Sequence, residues 1–347
     1  MNLSNNWKRI CFKTGQDLPQ ISLTVFNKSW WLGLILLLSA MTSLPVAAQG
    51  IHPAQSPLSK GGSHKFDSLL FVGSLIAQSL PSLKPTQPEA ARQLNQGLVL
   101  IQQGKLQEAI ASFRLASQLN PQLAPAHYNL GLALRQAGQL QPSADAFYQA
   151  TQADPDFALA FANLGAALLE GNNLRQAREY LTKALELDSS LGVAHYNYGL
   201  VLSQSGETAQ AIAQFQRAIE LSRNAPEPSY HLGMIYLQQG KIEQAKKSFQ
   251  EAIKINPQYP EAHYNIGTIL FQQGNLNAAL DAFRKSARSN SNYANAYYGA
   301  GLVFMRQNRS GEAQQVLQYA RDLFKVQGNR QWAQNAQQLL ERSRNFN

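Results

Sequence analysis

The stretch YNLGLALRQAG at residues 128–138 returns as YNYGLVLSQSG at 196–206 and as YNIGTILFQQG at 264–274, each 68 residues after the last. Its glycine recurs at half that interval: Gly97, Gly131, Gly165, Gly199, Gly233, Gly267 and Gly301 stand 34 residues apart with no insertion or deletion. A fixed period of this length marks stacked supersecondary units. Seven residues beyond the glycines lie Gly104, Gly138, Asn172, Gly206, Gly240, Gly274 and Asn308. Glycine and asparagine accept the left-handed backbone that ends a helix, so the chain turns there. Twelve beyond come Ala109, Ser143, Ala177, Ala211, Ala245, Ala279 and Ala313, and nineteen beyond come Ala116, Ala150, Ala184, Ala218, Ala252, Ser286 and Ala320. Between them, sixteen beyond, stand Phe113, Phe147, Leu181, Phe215, Phe249, Phe283 and Leu317. Small residues let paired helices approach, and the large ones fill the next gap. Pro121, Pro155 and Pro257 close three units where a second helix must stop.

This arrangement resembles the tetratricopeptide repeat, a helix–turn–helix unit of 34 residues with a Leu-Gly, Ala, aromatic, Ala and Pro pattern. The match runs over residues 90–327 as seven units: 90–123, 124–157, 158–191, 192–225, 226–259, 260–293 and 294–327. At Ser189, Arg223, Ser291 and Lys325 the closing proline is missing, which leaves those helix ends less defined. Residues 328–345, with Trp332, Ala336, Leu339 and Leu340 at helical spacing, read as a C-terminal solvating helix that caps the last unit. The resemblance implies an all-α, right-handed superhelical solenoid whose concave face is built from the first helix of each unit.

Ahead of the repeats the chain changes character. Residues 1–28 carry Lys8, Arg9, Lys13 and Lys28 against Asp17, and an uncharged apolar stretch runs from Trp30 to Ala48. This reads as an export signal over residues 1–48, ending in the small residues Val46-Ala47-Ala48, or as a retained membrane anchor through residues 30–48. Either way the basic flank keeps the N-terminus in the cytoplasm and exports the remainder. Cys11 precedes the apolar stretch, so no lipidated cysteine is expected, and a single cysteine excludes internal disulfides and multi-cysteine zinc sites. Residues 49–89 form a linker rich in Pro, Gly and Ser. Within it, residues 66–80 suggest a short amphipathic helix, with Phe66, Leu69, Leu70, Val72, Ile76 and Leu80, that packs on the first repeat.

Candidate binding residues fall on the first helices. Two before the repeat glycine stand Asn95, Asn129, Asn163, Asn197, His231, Asn265 and Gly299, so five of seven units offer an amide at one place. Two helical turns on, and so on the same face, lie Gln102, Gln136, Glu170, Gln204, Gln238, Gln272 and Arg306. Beside the asparagines, Tyr128, Tyr196, Tyr230 and Tyr264 are expected to add aromatic surface. Each amide offers a donor and an acceptor, so a row of them suits the backbone of an extended peptide. The row is similar to the asparagine ladder in the repeat domain of O-linked N-acetylglucosamine transferases, and that resemblance implies a gripped protein segment. The bland alternative is that the asparagines brace neighbouring helices.

Other chemistries fit poorly. A terminal carboxylate needs cationic donors, which the face lacks. His127, His195 and His263 recur every 68 residues, too far apart in a stacked array for the ~2 Å bonds of a zinc site, and are assigned structural roles. The net charge of +9 comes without blocks of like charge, so no nucleic-acid partner is expected. No phosphate-cradling loop or nucleophile motif remains, and no cofactor is expected. The sequence therefore reads as a non-enzymatic protein-interaction scaffold of the cell envelope, with a substrate-presenting subunit of a separate enzyme as the alternative.

Overall fold

A computed structural model describes residues 88–344. The stretch expected to be an export signal or membrane anchor, most of the linker and the expected helix at 66–80 lie outside the described residues. Fifteen α-helices, and no strand, make up the described residues. They belong to two compact units, divided between Pro257 and Gln258. The first holds α1 (Pro88–Gln102), α2 (Leu106–Leu119), α3 (Ala124–Gln136), α4 (Leu140–Ala153), α5 (Ala158–Glu170), α6 (Leu174–Leu187), α7 (Gly192–Gln204), α8 (Thr208–Leu221), α9 (Glu227–Gln238) and α10 (Ile242–Ile255). The second holds α11 (Pro260–Gln272), α12 (Leu276–Ser289), α13 (Ala294–Arg306), α14 (Ser310–Val326) and α15 (Arg330–Arg344). Each odd helix from α1 to α13 pairs with the even one that follows, α15 closes on α14, and the first helices α5 and α7, and α11 and α13, touch across consecutive repeats. The all-α repeat fold is thus the one the 34-residue period implies.

The hairpin turn works as expected. Gly104, Gly138, Gly206, Gly240 and Gly274 have φ of 70–80°, and Asn172 and Asn308 hold 62° and 56°. The next amide then reaches back five residues, as Lys105 N–H does to Leu100 O at 2.9 Å, and satisfies a carbonyl that the helix end would strand. The repeat glycine serves a different purpose. A Cβ built on Gly199 would stand 2.8 Å from the ring of Phe215, and the same conflict arises with Phe113, Phe147, Leu181, Phe249, Phe283 and Leu317 in the other units. Absence of a side chain on the first helix makes the socket into which the large residue of the second is seated, and those Phe and Leu side chains are 0–1% exposed.

Where serine replaces the small alanine, its hydroxyl is used. Ser143 Oγ donates to Gly131 O at 2.7 Å and Ser286 Oγ to Pro260 O at 2.7 Å, both buried. In the third, fourth and sixth units, where the closing proline is missing, the second helix still ends at the equivalent residue, Leu187, Leu221 and Ser289. Asp188 and Asn290 accept from the amides of Ser190 and Asn292 at 2.8 and 2.9 Å, as Asn120 and Asp154 do in the units that keep proline. This side-chain turn recurs twenty-three residues after the repeat glycine and stops the helix by offering the backbone a competing hydrogen bond. The Ser190 hydroxyl and amide also hold the Asp188 carboxyl below the usual carboxylate range. The capping helix starts two residues later than expected, and α14, at 17 residues, is longer than the other second helices. Phe324 on α14 stacks on Trp332 of α15 with centroids 5.9 Å apart. Among the described residues no helix is long and apolar enough to cross a membrane.

The two glycine classes predict opposite mutational outcomes in thermal unfolding. Gly206→Asn should stay within about 0.5 kcal/mol of the parent, because Asn172 and Asn308 already hold that conformation. Gly199→Val should cost about 3 kcal/mol, because the Phe215 ring has nowhere to retreat.

Candidate functional site on the first helices

An α-helix brings residues spaced by three or four onto one side. In the first unit the side of the odd helices that carries the asparagine row therefore groups Pro125, Asn129, Leu132 and Gln136 on α3, and the equivalent Leu159, Asn163, Ala166 and Glu170 on α5. On α7 the same places hold Val193, Asn197, Leu200 and Gln204, and on α9 Glu227, His231, Met234 and Gln238. In the second unit Asn265 and Gln272 occupy α11.

The amide row differs from the open one expected. Asn129, Asn163, Asn197 and Asn265 are 2–9% exposed, and Asn95 alone, with no repeat ahead of it, is exposed. Each buried amide donates from Nδ2 to the carbonyl one turn back on its own helix. These bonds run from Asn129 to Pro125 at 2.7 Å, Asn163 to Leu159 at 3.0 Å, Asn197 to Val193 at 3.0 Å and Asn265 to Glu261 at 2.9 Å. Asn163 donates also to the Tyr128 hydroxyl, 3.2 Å away on the preceding repeat. The carbonyl bond locks each rotamer, and Asn163 also braces the neighbouring repeat, with both its N–H groups spent. The Oδ1 atoms of Asn129, Asn163 and Asn197 make no hydrogen bond among the described residues. Unlike Gln136 Oε1, they are not sealed from solvent.

The tyrosines are corrected outright. Tyr128 and Tyr264 are buried, and Tyr196 and Tyr230 half-buried. Their rings pack on the second-helix aromatics Phe147, Phe215, Phe249 and Phe283 at centroid distances of 5.6–6.0 Å. Tyr128 and Tyr264 also meet Phe157 and Tyr293, the residues that open the next first helix, at 5.0 and 5.7 Å. Tyr128 reaches the next repeat through Asn163 and Tyr196 through His231, so these rings serve packing instead of forming open aromatic surface. Burial pushes the Tyr128 and Tyr196 hydroxyls far above the ordinary phenol range and that of Tyr264 up to about 12, so they remain neutral donors.

Of the second amide row, Gln204, Gln238 and Gln272 are exposed, whereas Gln136 is half-buried with Oε1 sealed and without a partner. Glu170 receives Arg135 from the preceding repeat, Nε to Oε1 being 2.9 Å. His231, which takes the asparagine place on α9, is ringed by Tyr196, Phe215 and Tyr230, with Phe215 stacked at 5.9 Å. Burial pulls its pKa down to about 4, so it is a neutral aromatic filler near pH 7. His127 and His195 each bond the carbonyl six residues earlier, Pro121 O and Ser189 O, both at 3.0 Å, as Tyr297 does to Ser291 O. These are the structural roles assigned to the histidines. No cluster of three or more His, Cys, Asp or Glu among the described residues could hold a metal.

Sequence reasoning passed over the apolar lines that flank the asparagines. Val193 is 40% exposed, and Pro125, Leu159, Leu132, Leu200 and Met234 are half-buried. The same 34-residue register, applied six residues before and one after the repeat glycine, would have found them.

Two family models match the chain. One, described as TPR repeat, matches residues 97–138, 199–240, 233–274 and 267–308, and the other, tetratricopeptide repeat, matches 124–157 and 158–191, so that well over half the chain is accounted for. No curated protein matches it. Among solved structures, a tetratricopeptide repeat protein from Parabacteroides merdae is similar, at 17% identity and a TM-score of 0.54, covering 74% of this chain and 98% of its own. PilF of Pseudomonas aeruginosa is 19% identical with a TM-score of 0.54, covering 62% of this chain and 98% of its own. YrrB, titled a TPR protein with an unusual peptide-binding site, is 27% identical over 56% of this chain and 99% of its own, with a TM-score of 0.44. The repeated glycine socket, the left-handed turn and the family matches agree: the chain belongs to the tetratricopeptide-repeat family of protein-interaction scaffolds.

Proposed function

We propose that this scaffold holds an extended segment of a partner protein along its first-helix face, outside the cytoplasm, as a holding or assembly factor for envelope proteins. The observation that carries the reading is the state of Asn129 and Asn197. Each amide is fixed by a bond to its own helix and retains Oδ1 and one N–H without a partner among the described residues. A preorganised amide loses little rotamer entropy on binding, and its remaining donor and acceptor match the alternating N–H and C=O of a peptide backbone. Leu132, Leu200 and Met234 beside the row offer apolar contact that does not demand a particular side chain. The uncharged apolar stretch from Trp30 to Ala48 behind a basic flank, read as an export signal, supports the location, and the face contains no arrangement of nucleophile, base and oxyanion donors that would support catalysis.

Peptides selected by display on the full chain test the face. Against Asn129→Ala/Asn197→Ala they should bind about 1–3 kcal/mol more weakly, each amide contributing about 0.5–1.5 kcal/mol. The melting temperature should move by no more than about 2 °C, since neither amide bonds a neighbouring repeat. Unchanged affinity removes the row from the site, and a large loss of stability makes it a brace. For location, protease added outside intact spheroplasts should degrade the array; digestion from the cytoplasmic side alone overturns export.

A further inference from the structure

On the outward side of the second helices, repeats two to six carry a polar residue at the place where the first repeat is apolar. Eighteen residues after the repeat glycine stand Gln149, Lys183, Arg217, Glu251 and Lys285, all exposed, and in the seventh unit Tyr319 lies against Tyr297 with centroids 4.7 Å apart. The first repeat has Leu115 at this place, 41% exposed. One turn before it on α2 is the exposed Ala111, where four of the next five repeats carry Asp145, Glu179, Lys247 and Asp281. One turn after it is Leu119, 38% exposed, whose counterparts Leu187, Leu221 and Ile255 are half-buried. With Val99 on α1, 49% exposed, one hairpin holds three of the six exposed large apolar side chains among the described residues. A lone exposed leucine is ordinary, whereas a concentration in one repeat marks a surface that something covers.

We propose that the Ala111–Leu115–Leu119 stripe of α2 is a docking surface for residues 66–80 of the same chain. The stripe occurs only in the repeat that this segment adjoins, and the segment carries Phe66, Leu69, Leu70, Val72, Ile76 and Leu80 at the spacing of one helix face. Reach is ample. α1 and α2 run in opposite directions, so the Leu119 end of α2 stands beside the Pro88 end of α1. Neighbouring helices are ~8–10 Å apart, and the seven residues 81–87 can extend over ~23 Å. Charge is complementary as well. The segment's one charged residue is Asp67, and the exposed Arg114 beside the stripe makes no ion pair among the described residues. Docked in this way, residues 66–80 close the first repeat as α15 closes the last.

Hydrogen exchange on the full chain in dodecyl maltoside tests the proposal, comparing the parent with Leu115→Gln/Leu119→Ser, which installs the residues that Gln149 and Ser289 supply in other repeats. Residues 66–80 should exchange at least roughly tenfold more slowly in the parent than in the variant, with the amides of α3–α15 unchanged. Fast exchange of the segment in the parent overturns the proposal, as does protection that the substitution leaves intact, which would place the segment elsewhere. Protection that appears only on phosphatidylglycerol vesicles assigns it to a membrane, and protection that grows with protein concentration assigns it to a second copy; each of these results also overturns the proposal.

Discussion

The contact on which the rest of the structure depends is the seating of a phenylalanine or leucine of the second helix against a bare glycine Cα of the first. At 2.4–2.8 Å from where a Cβ would stand, these side chains leave no room for a methyl group, so the helix separation in each hairpin is set by this pair. The small residues twelve and nineteen positions beyond the glycine, all 0% exposed, follow from it: helices drawn this close tolerate only alanine or a hydrogen-bonded serine at their crossing. The left-handed turn follows too, since a three-residue connection between helices so close needs one residue with positive φ.

Hairpins built this way join to each other by aromatic and polar contacts of modest individual strength. The tyrosine three residues before the glycine touches its own second helix; Tyr128 and Tyr264 also touch the residue that leads into the next first helix, and the Tyr128 hydroxyl accepts from Asn163 of the next unit. Half-exposed cross-repeat ion pairs, Arg135 with Glu170 and Arg178 with Glu207, add at most about 1 kcal/mol each, because water screens both partners. Stability is consequently distributed: many equivalent buried contacts, each between neighbours, in place of one central core. Such an arrangement lets the first-helix face vary without touching what holds the hairpins together. His231 shows this, taking the place of an asparagine while the Phe215 and Tyr230 packing around it is kept.

The asparagines sit at the boundary between these two demands. Burial obliges an amide to find partners, and the carbonyl one turn back supplies one without any contribution from a ligand. What remains on Asn129 and Asn197 is one N–H and Oδ1 in a fixed orientation, which is narrower and better oriented than a free amide side chain. The carboxylate of Glu170 and the neutral ring of His231 interrupt the pattern, so the face is not uniform along its length.

Periodicity alone established the hairpins, their turns, the sites of close approach and the helical cap, because these depend on spacing, and spacing is a property of the chain. The ends of α6 and α12, which lack proline, were equally present in the sequence, as Asp188 and Asn290 twenty-three residues after the glycine, but a short polar residue becomes a stop signal only when its turn is recognised. Which side chains face solvent was another matter. Tyr128 and Asn129 are adjacent in sequence and on neighbouring sides of one helix; whether a ring forms surface or core depends on the next repeat arriving over it, and only the tertiary structure sets that, by bringing Asn163 of the next repeat to 3.2 Å from the Tyr128 hydroxyl. The sequence by itself determined what this protein is built from, and the packing of one unit on another decided how much of each amide stays uncovered, because burial is a property of neighbours that no single repeat contains.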